Sequence, residues 1–201
     1  MRLTVDLETE QGIEAVERLV EVVRGKLTVY VNGRLLEEHA DKLGFLRKCD
    51  PQLHGYNHIA LAQVKVSWQE SEIRKAKRVY SAFFNRPPVG WRSPYLTFNA
   101  STLQLLHEAG FYWDSSYEQS PITWLRRLQS PIYLIPIDHK HFNGDPTGTT
   151  LLHCYEITES VLQQVRHLLS SGIPFQRHIE VYASALSQCG FNYLFVDDLI
   201  G

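Results

Sequence analysis

Short β-branched, apolar runs alternate with longer segments of helical period along the whole chain. That alternation constrains the fold more than any other feature. LTVDLE at 3–8, KLTVYV at 26–31 and TTLLHCYEI at 149–157 read as strands. Between the first two, residues 12–24 place Ile13, Val16, Leu19, Val20 and Val23 on one helical face, with Gly25 as a stop. Residues 34–48 read as helical and end at Asp50-Pro51, after which QLHGYNH starts as a short strand and runs into a loop. SWQESEIRKAKRVYSAFF at 67–84 is a charged amphipathic helix with Ser67 and Glu70 spaced as a capping box. VGWRSPY, FYWDSS and IYLIPI (132–137) add strands. TLQLLHEAG, capped by Asn99 or Ser101, adds a helix, as do residues 158–171 and roughly 175–188. NYLFVDDL reads as a closing strand. Parallel strands need long crossovers, usually helical, so this order predicts a parallel α/β fold. Seven or eight strands in 201 residues point to a barrel or distorted barrel rather than an open sheet. Chemistry in such barrels gathers at the C-terminal ends of the strands. There is no repeat, low-complexity stretch or linker, so one domain is expected over 1–201.

Composition narrows the function. Twenty Lys and Arg stand against 22 Asp and Glu, and no basic excess marks a nucleic-acid binder. No apolar run approaches the roughly 20 residues of a membrane helix. The opening MRLTVDLETEQG has no signal-peptide pattern. Cys49, Cys154 and Cys189 are odd in number, far apart and form no C-x-x-C motif. They fit a reducing compartment, and a cytoplasmic location is expected.

Five places put ionisable groups at or just past a predicted strand. Asp6 and Glu8 are two apart, and side chains two apart share a strand face. Two carboxylates there are costly without a positive partner. The alternative is a strand that has already ended, with both in solvent. His54 and His58, in HGYNH, can aim at one metal ion, and two His plus a carboxylate form an open site with room for water and substrate. In WRSPY, Arg92 can orient a carboxylate and Tyr95 can offer its backbone N–H to an oxyanion; a surface Arg pairing is the alternative. Asp114 in DSS can hold Arg92 or simply cap a turn. His153, inside apolar LLH, is a structural histidine or, at a barrel rim, a proton donor.

These five places follow the order of the motifs of the polysaccharide deacetylase superfamily, the NodB-homology or carbohydrate esterase family 4 proteins. VDLE, HGYNH, RSPY, GFYWDSS and LLH resemble those motifs along nearly the whole chain. The resemblance implies a distorted, NodB-like (β/α) barrel of about seven strands. It implies Asp6 as general base, His54 and His58 as metal ligands, and Arg92 as the group positioning Asp6. It also implies that Tyr95 supplies an oxyanion-hole N–H, that Asp114 braces Arg92, and that His153 is the general acid. Many members carry two adjacent Asp in the first motif. Here Leu7 takes the second place, and Glu8 fits the D-x-E variant as third metal ligand. Cys154 follows His153 where Asp or a small polar residue is frequent, and reads as packing.

The expected activity is metal-dependent hydrolysis of an N-acetyl group on an amino-sugar-containing substrate. Zn²⁺ is the expected ion, and Co²⁺, Fe²⁺ or Ni²⁺ would suit the same ligands. Two alternatives remain: hydrolysis of a non-sugar amide such as a cyclic ureide, and a catalytically dead, carbohydrate-binding barrel. Trp91, Tyr112, Trp113, Tyr117 and Trp124 could stack on sugar rings or sit in the core. His139, Lys140, His141 and Asn143 lie on a loop that could border the mouth. Oligomeric state is not readable from the pattern.

Overall fold

The computed structural model describes residues 1–118 and 130–188. The closing strand expected at NYLFVDDL, and Trp124 and Cys189, lie outside them.

Seven strands form one sheet: β1 (Arg2–Leu7), β2 (Thr28–Val31), β3 (Asp50–Leu53), β4 (Gly90–Trp91), β5 (Trp113–Asp114), β6 (Tyr133–Leu134) and β7 (Thr149–His153). Their order is β6-β5-β4-β3-β2-β1-β7, and every neighbouring pair is parallel. The sheet curls into a barrel-like wall. Past β6 the chain makes single bridges to Glu118 from Ile137 and to Thr150 from His139. That segment links the last strand of the order back towards β7.

Alternation along β1 sorts the two faces. Leu3, Val5 and Leu7 join the apolar core with Ile13, Val16, Leu19 and Val20 of helix α1 (Ile13–Val22). Burying four such side chains contributes about 1.5–3 kcal/mol each as an upper bound. Arg2, Thr4 and Asp6 face the other way and meet polar partners: Thr149 and Asp138 for Arg2, Arg92 for Thr4 and Asp6. The inner face of the sheet is therefore polar along much of its length.

Helix α2 (Gly33–Glu38) is capped by the Asn32 side chain, which accepts from the Arg34 N–H at 2.9 Å. It is shorter than the helix expected over 34–48, because residues 40–48 break into two 3₁₀ turns. Helix α3 (Val66–Phe84) begins one residue before the predicted start, and no side chain caps it. Ser67 thus lies inside the helix, and the expected capping box is absent. Helix α4 (Ala100–Glu108) has a real capping box, between Asn99 and Thr102. Helices α5 (Glu159–Ser170) and α6 (His178–Gln188) complete the described set.

α6 is tied into the polar interior. The His178 N–H donates to Thr28 Oγ1 at 2.8 Å, and Thr28 donates to the buried Asp50 carboxylate at 2.8 Å. His178 Nδ1 lies 2.6 Å from the Tyr30 hydroxyl. Burial holds the His178 imidazole in its neutral form, well below its ordinary titration range.

Strands β4, β5 and β6 are only two residues long. Pro87-Pro88 and Pro94 deny the ladder its donors on either side of β4. Gly90 is required there: a Cβ would stand 2.3 Å from Cε2 of Trp113 on β5.

Candidate active site

All the candidate residues lie at or beyond the C-terminal ends of the strands, with their backbones fixed by the parallel ladder. Asp6 pairs in register with Tyr30 on one side and His153 on the other. Glu8 follows immediately after β1 ends at Leu7, and its carboxylate turns back over the site. Glu8 Oε1 lies 3.2 Å from His54 Nε2 and 3.0 Å from His58 Nε2. Burial opposes ionisation of Glu8, but the hydrogen bonds from both imidazoles win and hold the carboxyl well below its usual range.

His54 is buried, and its Nδ1–H donates to the Arg92 carbonyl at 3.0 Å. With Nδ1–H committed there, Nε2 is left to face Glu8: protonated it donates to the carboxylate, and neutral its lone pair is available to a metal ion, the usual outer support of a metal-binding histidine. His58 sits on a loop in the left-handed region, φ 55°. The loop is pinned: Glu72 of α3 accepts from both the backbone and side-chain N–H of Asn57, at 2.9 and 2.5 Å. Gly55, φ +71°, allows the close approach of Pro94, whose Cγ would stand 2.9 Å from an added Cβ.

Donor atoms of Glu8, His54 and His58 lie within 4.8 Å of one another, and so do those of Asp6, Glu8 and His153. The first set has the two-imidazole, one-carboxylate chemistry that suits Zn²⁺ and similar ions. Its outward-locked His54 tautomer fits that role.

Arg92 lies fully buried across the interior from β1. Nη1 donates to Asp6 Oδ1 at 2.8 Å and to Thr4 Oγ1 at 2.9 Å. Nε and Nη2 donate to the Ser115 carbonyl and hydroxyl at 2.7 and 2.9 Å. The guanidinium carbon lies 4.1 Å from the centre of the Tyr30 ring. This leaves Asp6 Oδ2 without that clamp, 3.8 Å from His54 Nε2.

Asp114 is placed differently from the expectation. No hydrogen bond or ion pair within 4 Å joins it to Arg92 among the described residues; Ser115 holds the guanidinium instead. The Asp114 carboxylate accepts from the Ser116 N–H and hydroxyl at 3.0 and 2.6 Å. Ser116 Oγ in turn accepts the Ser93 N–H at 2.7 Å. Asp114 thereby fixes the backbone beside Arg92 rather than its side chain. Burial pushes its carboxyl up to about 7.

Tyr95 and Leu96 both carry left-handed backbone, φ 57° and 54°. Consecutive left-handed non-glycine residues are strained and persist where surrounding contacts over-determine them. The Tyr95 ring, 65% exposed, packs 4.7 Å from the His58 ring. On the far side, the His153 ring stacks on Tyr155, 69% exposed, at 5.1 Å and 14°. Cys154 does not continue the strand as expected. It begins a 3₁₀ turn, Cys154–Glu156, and is buried against the position of Gly12.

The aromatic residues divide. Trp91 and Trp113 are fully buried, Tyr117 is buried with its hydroxyl on the Leu134 carbonyl, and Tyr112 stacks on Tyr182. The exposed rings beside the site are Tyr95 and Tyr155. Sequence reasoning missed Thr4, Ser115, Glu72 and Glu156. Thr4 was legible as the residue two before Asp6 on one strand face, and Glu156 as an acid three residues after His153. Glu72 gave no signal beyond its place on the buried face of α3.

The sequence profile of the polysaccharide deacetylase family matches residues 1–113. The chain belongs to the polysaccharide deacetylase family. Members of that family are hydrolases acting on C–N bonds. Comparison with curated protein sequences finds no match. Among solved structures, the deacetylase fold is shared with a mutant of BA3943, a family 4 pseudoenzyme of Bacillus anthracis, in which enzymatic activity was restored. The TM-score is 0.67 at 16% identity, over 90% of this chain and 66% of that one. This chain thus spans just under two thirds of that protein's length. A family 4 carbohydrate esterase from Streptomyces lividans, in complex with acetate, gives 0.64 at 16% identity, over 88% and 90%. Peptidoglycan deacetylase PdaC from Bacillus subtilis gives 0.66 at 14%, over 94% and 92%. No helix among the described residues is long and apolar enough to cross a membrane.

Proposed function

We propose that this chain is a metal-dependent deacetylase that hydrolyses an N-acetyl group on an amino-sugar-containing substrate. One observation carries the reading: the Glu8, His54 and His58 donors converge beside an Asp6 clamped by Arg92 and a His153 at the same register on the neighbouring strand. Glu8, His54 and His58 would hold a divalent ion, Zn²⁺ first among the candidates. When bound, such an ion polarises a carbonyl and makes water more acidic.

The chain's own residues do the rest. Asp6, held at Oδ1 by Arg92, accepts a proton from the attacking water at Oδ2. The Tyr95 N–H is the oxyanion donor in this reading, and the strained backbone at Tyr95 and Leu96 supports a fixed orientation there. His153 donates a proton to the departing nitrogen, without which C–N cleavage is slow. Tyr95 and Tyr155 supply exposed ring faces on either side. Cys49 and Cys154, both free and buried, support a reducing compartment, and we place the protein in the cytoplasm.

The test is acetate release from an N-acetylglucosamine oligosaccharide by zinc-loaded protein, beside Asp6→Asn and His153→Ala. Release that is lost in both variants supports the reading. Metal binding without release, on this probe and on other N-acetyl sugars, would replace it with a binding barrel. Turnover of a cyclic ureide alone would replace the substrate class.

A further inference from the structure

Behind His153 stands a carboxylate that none of the five sequence motifs contains. Glu156 ends the 3₁₀ turn that follows β7, and both its oxygens are used. Oε2 accepts the His153 backbone N–H at 2.7 Å and lies 3.0 Å from His153 Nδ1. Oε1 lies 2.6 Å from Nδ1 of His141. One carboxyl thus holds the main chain and the ring of the same histidine. The Tyr155 ring, stacked on the His153 face, restricts the remaining rotation. The bonds from His153 and His141 keep Glu156 ionised, below its ordinary range, although burial opposes this.

We propose that Glu156 is the positioning residue for His153: it accepts the Nδ1–H and leaves Nε2 to face the departing nitrogen, with His141 steadying its second oxygen. The inference rests on reading His153 as the general acid. In that step the C–N bond of the tetrahedral adduct breaks and its electron pair stays on nitrogen. The proton on Nε2 moves to that nitrogen, so that amine and acetate leave. Glu156 gains and loses no proton; it accepts the same Nδ1–H before and after, as in other histidine dyads.

Two probes separate positioning from general damage. The amine of an N-acetylglucosamine oligosaccharide must be protonated to leave. The phenolate of 4-nitrophenyl acetate leaves without a proton. With zinc-loaded protein, Glu156→Ala should lower kcat on the oligosaccharide about 10- to 100-fold, a part of what acid catalysis supplies. KM and the ester rate should change little. Glu156→Asp should recover part of the loss, and His141→Ala should show a smaller loss of the same kind. Equal losses on both probes, or no loss on the oligosaccharide, would overturn the proposal. A second readout needs neither metal nor turnover. In ¹⁵N-histidine spectra of the apo protein, neutral His153 should be the Nδ1–H tautomer in the wild type and shift towards Nε2–H in Glu156→Ala. An unchanged tautomer would also overturn it. An inactive wild type that keeps this tautomer shift would refute the deacetylase reading and leave the positioning role standing.

Discussion

Removing the charge of Arg92 should cost more stability than almost any other single change in the described chain. The guanidinium is wholly buried, and so are Asp6, Thr4, Ser115 and Tyr30 around it. Arg92→Met keeps most of the volume but leaves Asp6 Oδ1, the Ser115 carbonyl and the Ser115 hydroxyl without their donor. Breaking a buried pair from one side costs about 3–5 kcal/mol, because the surviving charge has no compensation. At about 2–4 °C per kcal/mol for a chain of this size, the melting temperature should fall by on the order of 10 °C. Asp6→Asn should cost less, since Arg92 keeps Thr4 and Ser115. The double variant removes both charges, so its loss should fall short of the sum by about 2–3 kcal/mol. Urea unfolding of the apo proteins at neutral pH, followed by circular dichroism, measures all four corners, with an unchanged m-value as the check on the denatured state. Additive losses, or an Arg92→Met loss below about 1 kcal/mol, would refute a buried and coupled Asp6–Arg92 pair.

Elemental analysis after zinc reconstitution should find about one equivalent of metal, lost in Glu8→Ala, His54→Ala and His58→Ala. Two equivalents would make Asp6 and His153 ligands as well, against the roles proposed for them as base and acid. Burial raises the Asp114 carboxyl to about 7, so the folded chain binds more protons than the unfolded one between about 4 and 7. That group's contribution is lost as pH rises through this window. Asp114→Asn should therefore gain stability relative to wild type with rising pH, by up to about 1.4 kcal/mol per unit, and parallel curves would contradict this. His178 acts in the opposite direction: its folded pKa is lowered, so stability should fall as pH drops below about 6.5, and replacing it with Gln should flatten that limb. Gly90→Ala should lower stability by about 1–3 kcal/mol in thermal melts, because its Cβ would press on the Trp113 ring.

The periodicity of β1, α1 and β7 was legible because each buries one clean face. Helix boundaries were less so. Residues 34–48 have the composition of a helix, but Leu43, Phe45 and Leu46 are all buried, and the chain reaches them through two 3₁₀ turns instead. Ser67 and Glu70 have capping-box spacing, but tertiary packing starts α3 at Val66. At the site, the groups that end strands could be read from the sequence, because an ionisable residue after an apolar run is conspicuous. Among the supports, Thr4 and Glu156 left a trace in the spacing, but Ser115 and Glu72 did not. Ser115 acts through its backbone carbonyl as well as its hydroxyl, and no residue type announces a carbonyl. Glu72 reaches Asn57 from a helix, and sequence spacing says nothing about that meeting. The residues left Asp114 two readings, holding Arg92 or capping a turn, and the resemblance favoured the first; its own neighbour Ser116 is nearer in sequence, offers two donors and makes it a cap.

Register explains how so few residues can specify the arrangement. Asp6 and His153 are direct partners on adjacent parallel strands, about 4.8 Å apart in the hydrogen-bonding direction. In the proposed reaction, a base and an acid at that separation would flank one scissile bond without any loop having to close. Glu8 and the two histidines then need only lie beyond the ends of β1 and β3 to share the same mouth. The cost is that Asp6 is buried, and its counter-charge must come from β4, three strands away. Arg can span that distance and satisfy four acceptors from one planar group. Lys offers its three donors from a single point and cannot serve acceptors fanned around the guanidinium plane. Arg92→Lys should therefore keep the charge but lose the Ser115 contacts, leaving Asp6 free to turn. Its melting temperature should sit between those of wild type and Arg92→Met. A Lys variant as stable and as active as wild type would show that charge alone, rather than the fork, holds Asp6 in place.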